Sequence, residues 1–422
     1  MERNIPPKIH WAWVLLGVSF ITLFINYSIR IGAYSILLPK MIKDLHINLT
    51  QAGMIRGSYF MAYIVFSPLM GWLSDRIGPR WVISFFSLIL GIGTFLMGKA
   101  SSLSMAILFH AIVGIGSSAM WTPVVGMIQK WFGMKKRGLA LGILSPSYAL
   151  GYGLMGMILP SIVSTYDWRM GWTLLGVSCL LLVLFNSFLL RNDPEEMRLL
   201  PWGETSKRSE FASPTSRFRY NEIFKERAFW VIGFSYLLVS FGAYILTDLV
   251  VSYGVMELKL PYAISSRFIS ILAFTGIAGG LFWMALSDHL GRKKSLLILH
   301  SSLALSILWI ILVRGEVWWL QMGIGFFGFF YSPVWPMYGA CARDYFPKEV
   351  VGSVIGLLTF FYGIGAILGP IIAGRLADSS GTFRWSFALA SFCCLMASIV
   401  IGLLKGRKRA YSSPLSEGLQ ED

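Results

Sequence analysis

Five ionisable side chains interrupt otherwise apolar stretches of this chain: Arg30, Arg56, His110, Asp248 and Arg267. At the centre of a lipid-spanning helix such a group costs roughly 2.5–3.5 kcal/mol on the insertion scale, so each one demands a function or a partner. A guanidinium is a planar fork of donors that fits a carboxylate bidentately. Arg30 is therefore a candidate anion ligand, with an ion pair or snorkelling to a headgroup as the alternative uses. Asp248 is the only acid of the five, and two roles compete for it. It is either a titrating coupling site or a permanent partner of Arg30 or another arginine. His110 has the side-chain type suited to binding a proton or a polar substrate, although a lone histidine also serves in packing. Arg56 and Arg267 stand near one end of their apolar stretches, in nearly equivalent positions. Both are expected to form an outer-gate ion pair or to snorkel.

A second group is aromatic. Tyr331, Trp335 and Tyr338 follow one another at spacings of four and three and share one helix face. Their polar tips can frame a small ligand within an apolar wall, or simply pack. Pro333 and Pro336 between them predict a kink. Tyr148, after Ser145, Pro146 and Ser147, stands in register with Tyr362, as shown below, and both are candidate substrate contacts. The cysteines Cys179, Cys341, Cys393 and Cys394 have no metal or redox spacing and read as small buried hydrophobes. No metal site, cofactor motif or catalytic constellation is legible, so neither a cofactor nor enzymatic activity is expected.

The elements that must carry these residues follow from composition. Of 422 residues, 55% are hydrophobic and only 14% charged, with a mean hydropathy of +0.65. A soluble enzyme is excluded by that balance. Twelve apolar runs read as membrane-spanning helices, at about 11–38, 51–73, 81–99, 103–128, 137–160, 170–190, 228–251, 264–286, 295–313, 318–342, 350–374 and 384–404. The expected fold is an all-α membrane protein of two pseudo-symmetric six-helix bundles, residues 1–190 and 228–404. A polar linker over 191–227 joins them, and a polar tail covers 405–422.

The net charge of +15 then has a topological meaning. Twelve spans put both termini on one side, and that side collects 25 of the 36 Lys and Arg residues, against 8 on the other. The bias predicts cytoplasmic termini and argues against a nucleic-acid partner; the tail Lys405-Gly-Arg407-Lys408-Arg409 suits anionic lipid. Compact outer loops suggest a prokaryotic plasma (inner) membrane, with the chain working as a monomer. Asn48-Leu-Thr50 is a glycosylation sequon on the outer side only in a eukaryotic secretory setting.

The two halves repeat. Gly71-Trp-Leu-Ser-Asp75-Arg76-Ile-Gly78-Pro-Arg80 follows the second run, and Met284-Ala-Leu-Ser-Asp288-His-Leu-Gly291-Arg292-Lys293 follows the eighth, 213 residues later. Gly138 to Gly151 parallels Gly352 to Gly365 at an offset of 214, which aligns Tyr148 with Tyr362. Such half-to-half similarity marks a transporter with its site between the repeats at the membrane midplane.

The first loop resembles the signature loop of the major facilitator superfamily. That resemblance implies two bundles rocking about a central cavity lined by spans 1, 4, 7 and 10, with 2, 5, 8 and 11 flanking it. It implies a cytoplasmic gate at Gly71, Asp75, Arg76, Gly78 and Arg80, latched in the outward-open state. Asp288, Gly291 and Arg292 form the second copy, expected to be weaker because Met284 replaces a glycine and His289 an arginine.

The segment Ile25-Asn26-Tyr27-Ser28-Ile29-Arg30, with Ser35, Pro39 and Asp44-Leu45, is similar to organic-anion transporters of the anion:cation symporter branch. There an Asp-Arg pair meets the substrate carboxylate; Arg30 matches the Arg, and Ile29 replaces the Asp. His110 and Ser117 stand where that branch has an Arg and a proton-coupling Glu. The segment from Trp131-Phe132 to Gly142 and Asp167-Trp168-Arg169 resemble the oxalate/formate and monocarboxylate branch, whose substrate Arg in the eighth span is replaced by Gly280.

Together these readings predict a secondary transporter of a small mono- or dicarboxylate working by alternating access, coupled to a proton or a counter-anion. A drug exporter, relying on Asp248 rather than Arg30, and a carrier of nitrate or sugar are the alternatives.

Overall fold

A computed structural model describes residues 10–204, 220–313, 316–347 and 350–404. Residues 205–219 of the expected linker and the whole expected tail lie outside the described residues. Among the described residues the regular elements are helices, apart from one isolated bridge between Phe132 and Trp202. They make twelve long passes. Spans 1 to 6 are Trp11–Asp44, Leu49–Ile77, Pro79–Met97, Leu103–Trp131, Arg137–Thr165 and Trp168–Leu189. Spans 7 to 9 are Arg227–Glu257, Tyr262–Leu290 and Arg292–Leu312. Span 10 is two pieces, Val317–Tyr331 and Val334–Tyr345, and spans 11 and 12 are Val351–Ser380 and Arg384–Gly402. Ten of the twelve are long and apolar enough to cross a membrane. The others are span 2, which carries Arg56, Asp75 and Arg76, and span 10, whose pieces are each too short alone.

The helices outrun the apolar runs because lipid sets the length of the apolar part only, while a helix continues to its stop signal. Span 2 ends at Gly78, with φ +88°, and span 8 at Gly291, with φ +85°. Side chains rarely adopt that backbone, so these two repeat-related glycines are the stops. The interruptions are equally local. Pro123 and Pro146 restart spans 4 and 5, and Ser332-Pro333 divides span 10. Span 1 carries a π turn over Ser28–Ala33, and span 7 ends in another over Tyr253–Glu257.

The start of the expected linker is packed rather than free in solvent. The Trp202 ring lies 4.9 Å from Trp13 and 5.7 Å from Phe132, and the Trp202 backbone N–H donates to the Trp131 carbonyl at 2.9 Å. The physical reason is the apolar content of this otherwise polar segment: Leu199 and Trp202 both pack against the core.

We distinguish the basic end of the molecule, which carries the chain termini, from the far end. Spans 2 and 11 meet near the far end with almost no side chain between them. A Cβ on Gly53 would lie 2.6 Å from the Ile371 Cα, and one on Gly374 would lie 2.3 Å from the Leu49 carbonyl oxygen. Asp378 of span 11 caps span 2, accepting from the Leu49 and Thr50 N–H groups at 3.0 and 2.8 Å. Spans 5 and 8 mirror this contact, with the Ser270 hydroxyl donating to the Gly153 carbonyl at 2.6 Å. Tyr262 donates to the Ile36 carbonyl at 2.9 Å and Ser35 to that of Thr247 at 2.7 Å, which ties span 1 to spans 8 and 7. In contrast, Gly142 of span 5 and Gly356 of span 11, toward the basic end, face open space. The halves are therefore pressed together at the far end and splayed toward the basic end.

Gly53→Ala tests this packing by sign. Alanine is the better helix former by about 1 kcal/mol, yet its methyl would strike backbone in span 11. Gly53→Ala is expected to lower the melting temperature of the purified protein, whereas Gly142→Ala leaves it unchanged or raises it.

Candidate functional site

The π turn of span 1 sets the site. Widening the helix there shifts the hydrogen-bond ladder over one turn, a distortion typical of functional positions. Arg30 lies in it, only 6% exposed. Its Nη2 donates to the Tyr362 hydroxyl at 2.5 Å, while its Nε is enclosed with no acceptor. The guanidinium carbon stands 4.7 Å from the centre of the Tyr63 ring and 5.6, 5.7 and 5.9 Å from Tyr27, Phe60 and Tyr59. Those ring faces stabilise a cation without neutralising it. No carboxylate pairs with Arg30 among the described residues.

Asp248 is paired instead with Arg56. The Arg56 Nε donates to Asp248 Oδ2 at 2.9 Å, and both side chains are sealed, at 0% and 1% exposure. Arg56 Nη1 donates at 2.7 Å to the carbonyl of Arg30 itself. One guanidinium thus links span 2 to span 7 and to the π turn of span 1. Arg56 Nη2 and Asp248 Oδ1 are buried without partners, so the pair is incompletely satisfied. Tyr34, Phe60 and Tyr244 enclose the Arg56 guanidinium at 4.8 to 5.7 Å.

Around Arg30 the halves contribute a wall of rings. The Tyr362 hydroxyl shares a 2.5 Å hydrogen bond with that of Tyr244. Trp335 touches Tyr331, Tyr362, Tyr236 and Tyr244, with ring centres 5.2 to 6.0 Å apart. Tyr148 hydrogen-bonds Ser332 at the break in span 10, and its ring lies 5.6 Å from Tyr27. Tyr27, Tyr63, Tyr148, Tyr236 and Trp335 remain part-exposed at this depth. Arg30, Tyr148, Tyr331, Trp335 and Tyr362, separate in sequence, are thus gathered in one chamber.

Three expected site residues lie elsewhere. Tyr338 is 1% exposed, and its hydroxyl is held by Ser235 at 2.7 Å and by His300 Nε2 at 3.3 Å. The Tyr338 ring stacks on that of Tyr236 at 4.1 Å, so it backs the aromatic wall from behind rather than lining it. His110 is sealed, its Nδ1 2.9 Å from the Ile55 carbonyl oxygen, with rings of Tyr34 and Tyr59 at 5.0 and 5.3 Å. Its contact with Arg30 is only indirect, through Tyr59. Arg267 is exposed, with no ion pair among the described residues, so its equivalence with Arg56 ends at sequence position.

Tyr27, Phe60, Tyr63, Tyr236 and Tyr244 were not anticipated. A signal existed for some: Tyr27 precedes Arg30 by three residues, and Tyr59 and Tyr63 lie one turn apart on a face that also presents Arg56. His300, also not anticipated, carried the signal of an ionisable side chain inside an apolar run, 295–313.

The Major Facilitator Superfamily profile matches residues 16–316 and 268–420. The chain belongs to this superfamily. It is accordingly a multi-pass membrane transporter and not an enzyme. It is 26% identical over 403 residues to the hexuronate transporter of Bacillus subtilis, covering 90% of this chain and 92% of that one. It is 22% identical over 405 residues to a probable sulfoacetate transporter of Cupriavidus necator, covering 91% of each. The fold is similar to the solved nucleoside transporter NupG, with a TM-score of 0.75, 13% identity and coverage of 92% and 99%.

The loops expected to form the cytoplasmic gate make the following contacts. Asp75 and Arg76 are exposed, with the Arg76 guanidinium 4.5 Å from the Trp72 ring of its own helix. Gly71 faces open space, and Gly78 abuts Asn192, which accepts from the Arg80 N–H at 3.0 Å. Arg80 Nε donates to the Ser187 carbonyl at 3.0 Å. In the second copy Arg292 bonds Asp288 and Ser287. These contacts all stay within one half, and in this state the copy expected to be weaker is the one that carries an ion pair.

Removing one partner of a buried pair typically costs about 3–5 kcal/mol, because the other charge is left unpaired. Asp248→Leu and Arg56→Leu alone are each expected to lower the melting temperature sharply. The double variant should melt above both singles, and a strictly additive double would show that the two charges do not couple.

Proposed function

We propose that this protein moves small organic anions by alternating access and that Arg30 binds the carboxylate. The supporting observation is charge balance at the chamber. Among the described residues, of the two buried guanidiniums Arg56 is matched by Asp248, while Arg30 is matched by nothing except tyrosine. An isolated cation in such surroundings is costly unless an anion joins it. The two curated relatives are named for hexuronate and sulfoacetate, both organic anions. The drug-exporter alternative needs a free acid to hold a cation, and the charge of Asp248 is already met.

With the charge bias setting the basic end in the cytoplasm of a prokaryotic inner membrane, this is an inward-open state. The Arg56–Asp248 pair is then an outer-gate contact between span 2 and span 7, and the cap that Asp378 of span 11 places on span 2 is a second one. Opening the far end must part them, and a released carboxylate can take a proton. Asp248 is therefore the proposed coupling residue, in preference to the sealed His110.

Arg30→Gln is expected to abolish uptake into proteoliposomes and any ligand-induced rise in melting temperature. Arg30→Lys should leave at most about a tenth of the affinity, since a point charge replaces the bidentate fork. Intact uptake by Arg30→Gln would sink the assignment. In the double variant Arg56→Gln/Asp248→Asn, exchange of anion across the membrane should persist while accumulation driven by a proton gradient is lost. Retained proton-driven accumulation would remove Asp248 from the coupling role.

A further inference from the structure

The chamber also restricts which organic anion it can hold. Its net charge is that of Arg30 alone, because Arg56 is neutralised by Asp248, Arg267 is exposed elsewhere and His110 is walled off behind Tyr59. A second anionic group on the ligand would enter an aromatic wall with no cation to meet it. Part of the hydrogen-bonding capacity is already spent. The hydroxyls of Tyr362 and Tyr244 are engaged with each other and with Arg30, that of Tyr148 with Ser332, and that of Tyr59 with Ser117 at 2.6 Å. Asn26, the one side-chain amide of span 1, is buried and accepts from Ser117 at 2.7 Å. The phenols of Tyr27, Tyr63, Tyr236 and Tyr331 and the Trp335 N–H carry no hydrogen bond among the described residues, and the Tyr152 hydroxyl is buried without a partner, so hydroxyls on a ligand can be met at the ring edges.

What the chamber offers in quantity is flat apolar surface. Tyr63 and Tyr27 flank the guanidinium, and Trp335, Tyr236 and Tyr362 continue the wall from the other half. Resting on the assignment of Arg30 as the carboxylate ligand, we infer that the preferred substrate is a monocarboxylate with an aromatic or similarly flat, largely apolar body. It is not a dianion. The chain thus diverges in specificity from the relative named for sulfoacetate, which carries two acidic groups. The carboxylate meets the free edge of Arg30 while the ring stacks between the part-exposed aromatics, as offset-stacked or edge-to-face contacts prefer.

The test uses the purified full-length protein and a matched panel. Benzoate and phenylacetate supply one charge on a ring. Phthalate and terephthalate add one carboxylate to the same ring. Glucuronate keeps one carboxylate and replaces the ring by hydroxyls, and sulfoacetate is a small dianion. Benzoate or phenylacetate is expected to raise the melting temperature and to bind at least tenfold more tightly than any of the other four. Trp335→Leu should weaken the aryl acid about tenfold while changing acetate binding little. If glucuronate, sulfoacetate or a benzenedicarboxylate binds best, and Arg30→Gln abolishes that binding, this inference is overturned while the carboxylate role of Arg30 stands. If the ligand that binds does so equally well in Arg30→Gln, or if no anion of the panel binds, both fail.

Discussion

The Arg56 guanidinium ties together the three helices that define the site. It spends one donor on Asp248 of span 7 and another on the carbonyl of Arg30 in span 1, while its own backbone belongs to span 2. A buried ion pair of this kind is weak evidence for stability, since desolvation offsets much of the attraction. Its value here is positional. By accepting from Arg56, the Arg30 carbonyl is anchored within the π turn, and the Arg30 side chain is held toward Tyr362 and the opposite half. By consuming Asp248, Arg56 also leaves Arg30 as the unmatched charge. This contact therefore contributes to both the geometry and the electrostatics of the site.

The far-end packing makes that contact possible. Ion pairs across a helix interface need the backbones close and the register fixed. The near-bare contact of Gly53 and Gly374 between spans 2 and 11, with the Asp378 cap, supplies both. The same closeness makes the state discrete. Backbone atoms already in contact cannot approach further, so the halves cannot close more tightly here, while Gly142 and Gly356 face open space toward the basic end.

Much of this was legible in the sequence for simple physical reasons. Lipid forbids unpaired backbone, so twelve apolar runs had to be helices. A charge in such a run is conspicuous, and Arg30, Arg56 and Asp248 all lie at the site. Which charge meets which was not legible. Asp248 could be assigned an arginine partner but not Arg56 in particular, because the choice depends on a π turn that no local propensity announces. Arg267 seemed related to Arg56 by the repeat, yet a shift of a few residues around a helix turns one inward and leaves the other exposed. The aromatics were obscured by abundance. With 30 Phe, 17 Tyr and 16 Trp in the chain, spacing alone does not tell a chamber wall from a lipid-facing ring. Tyr338 and Trp335 show this best, since a separation of three residues on one helix piece puts the first into the packing of spans 7 and 9 and leaves the second part-exposed.

The unmatched charge also bears on how substrate and movement are linked. On the proposed reading, the empty chamber holds Arg30 as a net positive charge between aromatic walls, and reorientation would carry that charge through a low-dielectric interior. A bound monoanion cancels it. The loaded chamber then contains two internal pairs, carboxylate with Arg30 and Asp248 with Arg56, and no net charge. Parting the second pair at the far end is resisted while Arg30 repels Arg56 from nearby, and becomes easier once a carboxylate or a proton redistributes that charge. A second anionic group would restore a net charge of opposite sign, which is the same obstacle reversed. Selectivity for one negative charge and permission to move are thus consequences of one electrostatic balance rather than separate devices.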